Sequence, residues 1–397
     1  SGFTDAIATL TQYRRRTRRI NDDNQRLGVI FNDYMNCLFG DPTTAKLLPL
    51  IDAAAEAGAE YFCIDCGWYD KGEWWNGVGQ WLPSAERFPE GIQYVIGYIR
   101  EKGLIPGLWL ELEVMGVKSP KLAETDDSWF FMRHGKRVFD RSRYQLDFTC
   151  PAVLRHADEV IDRLVTEYGV GYIKMDYNIE PGIGTEQHAD SAGDGLLKHN
   201  RAYLAWLDAV FARYPQLIIE NCGSGGLRMD YALLSRCSIQ STSDQEDYLK
   251  YATIAANAPT AVTPEQAAIW SYPLRDDDEQ AVIFNQVSAM LLRIHQSGHL
   301  AELSGQGFRQ VQDAIRYYKT LRQQLKTALP FWPLGLSSFT DEWVALGMQA
   351  EDGKVWLAVW RREGTQESCA LPLTGLQGKV VQGYPSTMQH TTTRDND

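Results

Sequence analysis

Acidic side chains follow several short apolar runs of this sequence at the point where each run ends. Asp65, Asp176 and Asp244 each come within three residues of the end of such a run. Glycoside hydrolysis requires a pair of carboxyl groups, since one attacks the anomeric carbon or activates water and the other protonates the leaving oxygen. The pattern therefore predicts chemistry on a sugar, with Asp176 as the nucleophile and Asp244 as the acid/base.

Lys174 separates the expected roles of the two carboxyl groups. Side chains alternate between the two sides of a β-strand, so Lys174 and Asp176 point the same way. A nearby ammonium favours the ionised carboxylate that a nucleophile needs. Asp244 is instead followed by Glu246 and Asp247, whose negative charges would raise its pKa and favour the protonated form that an acid needs.

Polar residues at the ends of the other predicted strands belong to the same candidate site. These residues are Asn32, Asp33 and Tyr34, then Asp65–Trp68, then Trp109, Glu111 and Glu113, and finally Glu220 with the turn Cys222–Gly226. The glycine-rich turn lacks the Gly-Lys-Ser/Thr ending of a phosphate loop, so a backbone that passes close to a ligand is the better interpretation.

Tryptophans and histidines complete the set of chemically informative side chains. Flat apolar faces for stacking on a sugar are offered by Trp68, Trp74, Trp75, Trp81 and Trp109. Packing in the core is the alternative for each of them, and the site is favoured for Trp109. The histidines show no spacing typical of metal ligands. We therefore predict neither a metal nor a cofactor.

The elements that must position these residues are strand-then-helix units, with eight predicted strands of which most are followed by a predicted helix. The predicted strands are Leu27–Asn32, Tyr61–Ile64, Ile105–Leu110, Gly171–Met175, Leu217–Glu220, Cys237–Ser241, Ala267–Ser271 and Arg293–Gly298. The predicted helices are Thr43–Ala57, Ile92–Lys102, Ala152–Tyr168, Leu196–Tyr214, Asp247–Asn257, Glu279–Leu291 and Phe308–Leu325. Such units indicate an α/β fold with parallel strands, and eight of them close a (β/α)₈ TIM barrel. A doubly wound open sheet is the alternative.

The two ends of the chain have a different pattern. Residues 1–26 are predicted to be a helical lead-in built on Thr4–Arg19, and residues 27–325 the catalytic barrel. Short alternating runs between turn signals follow, at Trp343–Gly347, Val355–Val359, Glu367–Leu371 and Lys379–Gln382. Such runs predict antiparallel strands. We therefore expect residues 326–397 to form a small C-terminal β-sandwich, or part of one.

Composition limits the partners and the compartment. A net charge of −12 over 397 residues argues against nucleic acid and anionic membranes, because both require a basic face. No run is long enough to span a membrane, and the start of the chain lacks the apolar segment of a signal peptide. The seven cysteines include a single Cys-x-x-Cys, Cys63 and Cys66, which favours a reducing compartment over a zinc site.

Three linked segments carry a resemblance to a known family. They are Tyr172–Asn178, Cys222–Asp230 and Thr242–Asp247, supported by Gly107–Glu113 and by Arg141 before Leu146-Asp147. In order and spacing they resemble the hallmark segments of glycoside hydrolase family 36, the α-galactosidases or melibiases. The resemblance covers the chain from about Gly28 to Leu325. The large N-terminal β-sandwich usual in the family is not found, so we expect a truncated or divergent member.

The resemblance implies roles for individual residues. Asp176 matches the nucleophile and Asp244 the acid/base. Positions that would contact the sugar in the −1 subsite are Asp65, Trp109, Arg141, Lys174, Asn178, Cys222 and Gly225; Tyr34, Cys66, Trp68 and Asp247 are further candidates for substrate binding. The resemblance also implies a cytoplasmic enzyme without a metal, acting on an oligosaccharide or glycoside and assembling as a homo-oligomer.

Two departures from the family pattern leave the sugar open. The family has two adjacent aspartates after strand 2, where this chain has Asp65-Cys66, and Tyr34-Met35 replaces the usual tryptophan after strand 1. A thiol is a weak hydrogen-bonding partner for a sugar hydroxyl. A retaining exo-α-glycosidase similar to α-galactosidase is the leading hypothesis. The alternatives are an α-glucosidase, an α-N-acetylgalactosaminidase, a transglycosidase similar to raffinose synthase, and a non-catalytic carbohydrate-binding relative.

Overall fold

Eight parallel strands close into a barrel in the computed structural model, which describes residues 2–69, 72–373, 376, 378 and 380–386. The strands are β1 Ile30–Asn32, β2 Tyr61–Ile64, β3 Ile105–Leu110, β4 Tyr172–Met175, β5 Ile218–Asn221, β6 Ile239–Ser241, β7 Ala267–Ser271 and β8 Arg293–Gln296. Each strand pairs with its neighbour in sequence, and β8 closes on β1 where His295 pairs with Ile30. The predicted (β/α)₈ TIM barrel is confirmed.

Helices surround the barrel. The α-helices after the lead-in are Thr44–Ala57, Ile92–Glu101, Pro151–Asp162, Ala192–Arg213, Tyr231–Leu234, Tyr248–Asn257, Glu279–Met290 and Gly305–Leu325. Single turns of other helix types are Tyr34–Leu38, Pro120–Glu124, Asp127–Trp129, Arg163–Tyr168, Ala258–Thr260 and Leu300–Glu302. The helix Thr44–Ala57 begins where the Thr43 side chain accepts a hydrogen bond from the Lys46 N–H and ends at Gly58 in a left-handed conformation. Among the described residues, no helix is both long and apolar enough to cross a membrane.

An excursion over residues 111–150 follows β3 and covers one side of the barrel mouth. It contains a three-stranded antiparallel sheet of Val114–Gly116, Arg143–Gln145 and Phe139–Asp140, and a hairpin of Met132–Arg133 with Lys136–Arg137. A buried ion cluster ties the excursion to the barrel, since Glu113 contacts His199 at 2.8 Å and Arg228 at 2.5 Å. Burial acts to raise the pKa of Glu113, but Arg228 and His199 outweigh it and hold the pKa at about 2.

The interior of the barrel is polar in its upper half. A small apolar layer formed by Ile30, Tyr61, Tyr172, Ile218, Ile239 and Ala268 fills the lower half. Two residues further along their strands, Lys174, Glu220 and Ser241 also face inward, because side-chain direction repeats every second residue. Barrel interiors are usually filled by bulky branched side chains, so a polar layer here is unusual. This layer lies directly beneath the strand ends that carry the predicted site.

The N-terminal segment packs against the end of the barrel where the strands begin, opposite the mouth. Its helices are Phe3–Thr17 and Asp22–Arg26. Arg15 and Arg18 both form ion pairs with the buried Glu265, at 2.8 Å and 2.7 Å. The Arg293 guanidinium of β8 donates two hydrogen bonds of 2.9 Å to the carboxylate of Asp23, and neither side chain is exposed. The division of the chain into domains stays a prediction.

We expect Arg293→Met to destabilise the protein strongly. The substitution removes one partner of a buried pair and leaves the Asp23 carboxylate uncompensated, which costs about 3 to 5 kcal/mol of unfolding free energy. Denaturant titration measures this loss. Lys354→Met is the control, because its ion pair with Asp352 is exposed and should contribute little. Equal stability of the two variants would contradict the structural role given to Arg293.

A small antiparallel sheet follows the barrel. Its strands are β9 Leu329–Phe331, β10 Trp343–Gln349 and β11 Val355–Arg361. The prediction of a strand over Glu367–Leu371 was wrong: this largely exposed segment pairs with no described residue as a strand. Of the last predicted run, residue 379 lies outside the described residues, and 380–382 are not in a strand. The described part of the C-terminal region therefore contains one three-stranded sheet.

Candidate active site

Asp176 lies at the end of β4 with its carboxylate surrounded by donors. Trp109 Nε1 donates to Oδ2 at 3.1 Å, while the backbone N–H groups of Tyr177 and Ser224 donate to Oδ1 at 2.8 Å and 3.2 Å. The residue is 8% exposed. Hydrogen bonds from N–H groups stabilise the charged form of a carboxylate. Three N–H donors therefore hold the Asp176 carboxyl group in place at the end of β4.

Lys174 and Asp65 form a buried ion pair beside this carboxylate. Lys174 Nζ lies 2.8 Å from Asp65 Oδ2, and the Asn32 side chain donates to the same oxygen at 2.7 Å. Burial acts to lower the pKa of Lys174, but the negative charges of Asp65 and its neighbours raise it well above its usual value. The ammonium also lies 5.8 Å from the ring centre of Tyr34. Lys174 is thus a permanent cation in the floor of the site.

Asp244 has surroundings of a different kind. Its side chain opens to solvent at the mouth, and no described residue donates a hydrogen bond to its carboxyl group. Protein surrounds it on the other sides, and this burial raises its pKa to about 6, with Asp176 adding to the rise and Lys174 opposing it. Glu246 also raises the pKa, as the sequence suggested. A carboxyl group in these surroundings retains a proton at mildly acidic pH.

The tight glycine-rich turn Cys222–Gly226 contacts both Asp176 and Asp244. Gly225 has φ +75°, and a Cβ atom there would lie 2.6 Å from the backbone nitrogen of Asp244. Asn178 Oδ1 accepts hydrogen bonds from the backbone N–H and the hydroxyl of Ser224, at 3.0 Å and 2.6 Å. Burial, followed by the charge of Asp176, raises the pKa of the Cys222 thiol at the start of the turn. The turn therefore sets the position of Asp244 relative to Asp176.

We expect Gly225→Ala to impair the site more than the fold. The new methyl group must displace the backbone at Asp244, and a left-handed backbone strains any residue other than glycine. Activity should fall about five- to thirtyfold, which corresponds to a cost of 1 to 2 kcal/mol. Gly97→Ala is the matched control, since a Cβ atom there meets nothing within 4 Å and alanine favours the helix. Similar activity of both variants would show that the turn does not position Asp244.

Aromatic rings form one wall of the site. Trp109 packs against Trp74 and Tyr69, with ring centres 5.3 Å and 6.1 Å apart, and Trp75 at the rim is 46% exposed. Trp68 was predicted to bind substrate, and the structure corrects this: it is 0% exposed and its Nε1 donates to the backbone oxygen of Trp109 at 2.9 Å. Trp68 supports Trp109 from behind.

Two further predicted contacts have other visible roles. Arg141 lies at the tip of a hairpin with φ +46°, exposed, and forms ion pairs with Asp140 at 3.8 Å and Glu180 at 3.3 Å. Asp247 caps the helix Tyr248–Asn257, since its Oδ1 accepts hydrogen bonds from the N–H groups of Leu249 and Lys250. The structure brings neither of these side chains into the floor of the site.

Sequence reasoning missed a buried arginine that supports the floor. Arg143 is 2% exposed; it donates to Glu111 Oε2 at 2.7 Å and to the backbone oxygen of Asn178 at 2.8 Å. Burial raises the pKa of Glu111 to about 7, although Arg143 opposes the rise. In the sequence, the available sign of Arg143 is that it lies two residues after Arg141. This spacing becomes informative only when the hairpin is known, because the hairpin places Arg141 in the turn and Arg143 on a strand.

Cys66 lies directly after Asp65 at the end of β2. It is 1% exposed, and its N–H donates to Asp65 Oδ1 at 2.8 Å. Burial, followed by the charge of Asp65, raises the pKa of the thiol well above its usual value. Asp33 accepts a hydrogen bond from the Asp65 N–H at 2.7 Å, and burial raises the pKa of Asp33 to about 8. The neighbouring ends of β1 and β2 thus hold two carboxyl groups and a neutral thiol in a small buried volume.

Comparison with known proteins places this barrel in a family. Residues 2–327 match the model of the Melibiase family, and the chain belongs to that family. It is 27% identical to alpha-galactosidase 1 of Pediococcus pentosaceus over 268 residues, 64% of this chain and 36% of that protein. It is 26% identical to an alpha-galactosidase of Escherichia coli over 258 residues, again 64% of this chain and 36% of that protein. The chain therefore spans about a third of the length of these relatives.

Solved structures show the same fold. A variant of the GH36 alpha-galactosidase AgaA of Geobacillus stearothermophilus, in complex with stachyose, superposes with a TM-score of 0.85 at 19% identity. The match covers 95% of this chain and 54% of that one. The galactosidase domain of the alpha-galactosidase-sucrose kinase AgaSK gives a TM-score of 0.80 at 21% identity, covering 94% and 52%. Nearly all of this chain therefore adopts an architecture found within longer chains.

Proposed function

We propose that this chain is a retaining exo-α-glycosidase that hydrolyses terminal α-linked galactose, with Asp176 as nucleophile and Asp244 as acid/base. The contrast between the two carboxyl groups carries the proposal. Three N–H groups donate hydrogen bonds to the carboxyl oxygens of Asp176, while Asp244 has no such donor among the described residues and its pKa is raised to about 6. Surroundings that separate two carboxyl groups in this way assign the acid and the nucleophile.

The proposed reaction has two steps. In the first, an Asp176 oxygen bonds to the anomeric carbon while the bond between the anomeric carbon and the leaving-group oxygen breaks. Asp244 gives its proton to the leaving-group oxygen. In the second, Asp244 takes a proton from water, the water oxygen bonds to the anomeric carbon, and Asp176 leaves as the free carboxylate. Two inversions at one carbon give net retention. Lys174 and Trp109 stabilise the negative charge that Asp176 carries before the first step and regains in the second step.

The residues around this pair form the proposed −1 subsite. They are Tyr34, Asp65, Cys66, Trp109, Lys174, Asn178, Cys222 and Gly225, and the exposed Arg141 is a further candidate. The names of the relatives, alpha-galactosidases, support galactose as the sugar. The structures of AgaA with raffinose and stachyose support an oligosaccharide as the substrate. A cytoplasmic location and a homo-oligomeric assembly complete the proposal, and the seven free cysteines are consistent with a reducing compartment.

Hydrolysis of p-nitrophenyl α-glycosides of galactose, glucose and N-acetylgalactosamine tests the proposal. We expect galactoside hydrolysis, with NMR detecting the α-anomer of the free sugar first. Preference for the glucoside would identify the enzyme as an α-glucosidase, and preference for the N-acetylgalactosaminide as an α-N-acetylgalactosaminidase. Dominant transfer to an added sugar acceptor would instead indicate a transglycosidase, and binding without turnover a carbohydrate-binding protein.

We expect Cys66→Asp to raise activity on the galactoside and to lower stability. The family pattern has a carboxylate at this position, and a charge-assisted hydrogen bond to a sugar hydroxyl contributes on the order of 1.5 to 3 kcal/mol, or roughly ten- to a hundredfold in kcat/KM. The same carboxylate would be buried beside Asp65, which lowers the melting temperature. Cys66→Ser is the control, because it adds no charge. Full galactosidase activity in the wild type, with no gain from Cys66→Asp, would show that another group holds the hydroxyl.

A further inference from the structure

The polar layer inside the barrel contains a carboxyl group for which the proposed reaction has no use. Glu220 on β5 is 0% exposed, and its Oε1 has no hydrogen-bonding partner among the described residues. Both ring nitrogens of His295 and the Ser241 hydroxyl, in the same layer, also have no hydrogen-bonding partner among the described residues. Buried polar groups are seldom left in this way, because each costs free energy. The polar layer therefore costs free energy that hydrogen bonds among the described residues do not offset.

Glu220 lies next to Lys174 in the barrel. The two residues are paired in the register of β5 and β4, neighbouring strands lie about 4.8 Å apart, and both side chains face inward. The Tyr172 hydroxyl donates a hydrogen bond to Glu220 Oε2, and His295 Nε2 lies 3.7 Å from the same oxygen. The orientation of the carboxyl group is thus fixed from below by Tyr172.

Other titratable groups face Glu220 from several strands. They are Cys63 on β2 and Asp65 after it, Tyr172 and Lys174 on β4 and Asp176 after it, Cys222 after β5, and His295 on β8. Lys174 is the cation whose charge acts on Glu220 most strongly, and Asp65 and Asp176 add negative charge from above. Lys174 therefore has acidic groups on both sides, with the proposed nucleophile on the upper side.

We propose that Glu220 is a positioning residue that acts through Lys174, drawing the ammonium toward the barrel centre so that it stays between Asp65 and Asp176. The inference rests on the proposed function and deepens it. An ammonium has three donors, and its hydrogen bond to Asp65 uses one of them. Without a second anion, Asp65 alone would hold the charge, at the expense of the interaction with Asp176.

The protonation of Glu220 makes the idea testable. Burial raises its pKa to about 7, with Lys174 opposing the rise, so the group is neutral in acid and ionised in mild base. Glu220→Gln imitates the neutral form. We expect kcat/KM of Glu220→Gln to equal that of the wild type within about twofold at pH 5.5 and to fall roughly tenfold below it at pH 7.5, the size of one pKa unit of interaction. The loss should appear in kcat more than in KM.

Two further variants separate positioning from a structural role. Glu220→Asp keeps the charge and should restore most of the activity at pH 7.5. Glu159→Gln, on the exposed face of an outer helix, should leave the pH profile unchanged. A loss in Glu220→Gln that is equal at both pH values, or no loss at either, would overturn the inference.

Unfolding free energy provides a readout that does not need activity. Because folding raises the pKa of Glu220 above its unfolded value of about 4.3, the stability advantage of the protonated group is complete below that value and is lost as pH rises through about 7. The wild type should therefore lose stability relative to Glu220→Gln over this range. A flat difference would overturn the inference. A wild type inactive on every α-glycoside would overturn the proposed function first, and an active wild type without the pH effect would overturn only the role of Glu220.

Discussion

Asp176→Ala should abolish turnover of α-galactosides while leaving the barrel folded. The substitution removes the oxygen that attacks the anomeric carbon, and loss of a covalent nucleophile typically lowers kcat by about 10⁴- to 10⁶-fold. The carboxylate makes its hydrogen bonds at the open end of the barrel, where Trp109 Nε1 and two backbone N–H groups hold it. Steady-state kinetics and a thermal melt measure the two effects.

Added azide should restore turnover in this variant. A small anion fits the space that the side chain leaves, attacks the anomeric carbon and gives a glycosyl azide of inverted configuration, which NMR identifies. Asp313→Ala, on an exposed helix surface, is the matched control and should keep wild-type rates. Near-normal rates in Asp176→Ala, or a large loss without azide rescue, would assign the nucleophile to another residue.

Asp244→Ala should produce a second large loss, with a different dependence on the leaving group. An alkyl leaving group needs the proton that Asp244 gives, whereas p-nitrophenolate departs with little help. Acid catalysis contributes about 10²- to 10⁴-fold, so kcat/KM should fall by that factor for an alkyl galactoside and by much less for the aryl galactoside. Comparison of kcat/KM for the two substrates in both proteins measures the difference.

The pH profile gives the same prediction an independent form. With its pKa raised to about 6, Asp244 loses its proton as pH rises through that value, and activity should decline on the alkaline side of the profile. This alkaline decline should be absent in Asp244→Ala. Equal losses on both substrates, or an unchanged alkaline limb, would exclude Asp244 as the acid.

The barrel could be predicted because its signal is local. Most of its strands lie within buried apolar runs, and helices with an apolar face lie between them. The excursion after β3 could not be predicted, since strands such as Phe139–Asp140 are two residues long and depend on partners that the fold supplies. The same reason explains the wrong strand over 367–371, where no partner is available among the described residues.

Alternation along strands predicted which side chains lie on the same side of β4 and failed beyond the strand ends. Lys174 and Asp176 share one side of β4, and the charge of Asp176 contributes to the raised pKa of Lys174. Gly67, with φ +96°, turns the chain directly after Cys66, and Trp68 consequently points into the core. Arg141 and Ser142 both have positive φ and form the tip of a two-residue hairpin turn, which exposes Arg141 and buries Arg143. These reversals depend on backbone angles that side-chain periodicity does not report.

Trapping of the covalent intermediate tests the central claim most directly. The enzyme is incubated with an activated fluorinated galactoside whose glycosyl-enzyme hydrolyses slowly, then digested with trypsin and analysed by mass spectrometry. The account predicts a mass increase of one fluorosugar on the peptide that spans residues 175–198, located by fragmentation at Asp176 and absent from Asp176→Ala. A label on any other residue would contradict it, as would a β-configured first product with no labelled protein.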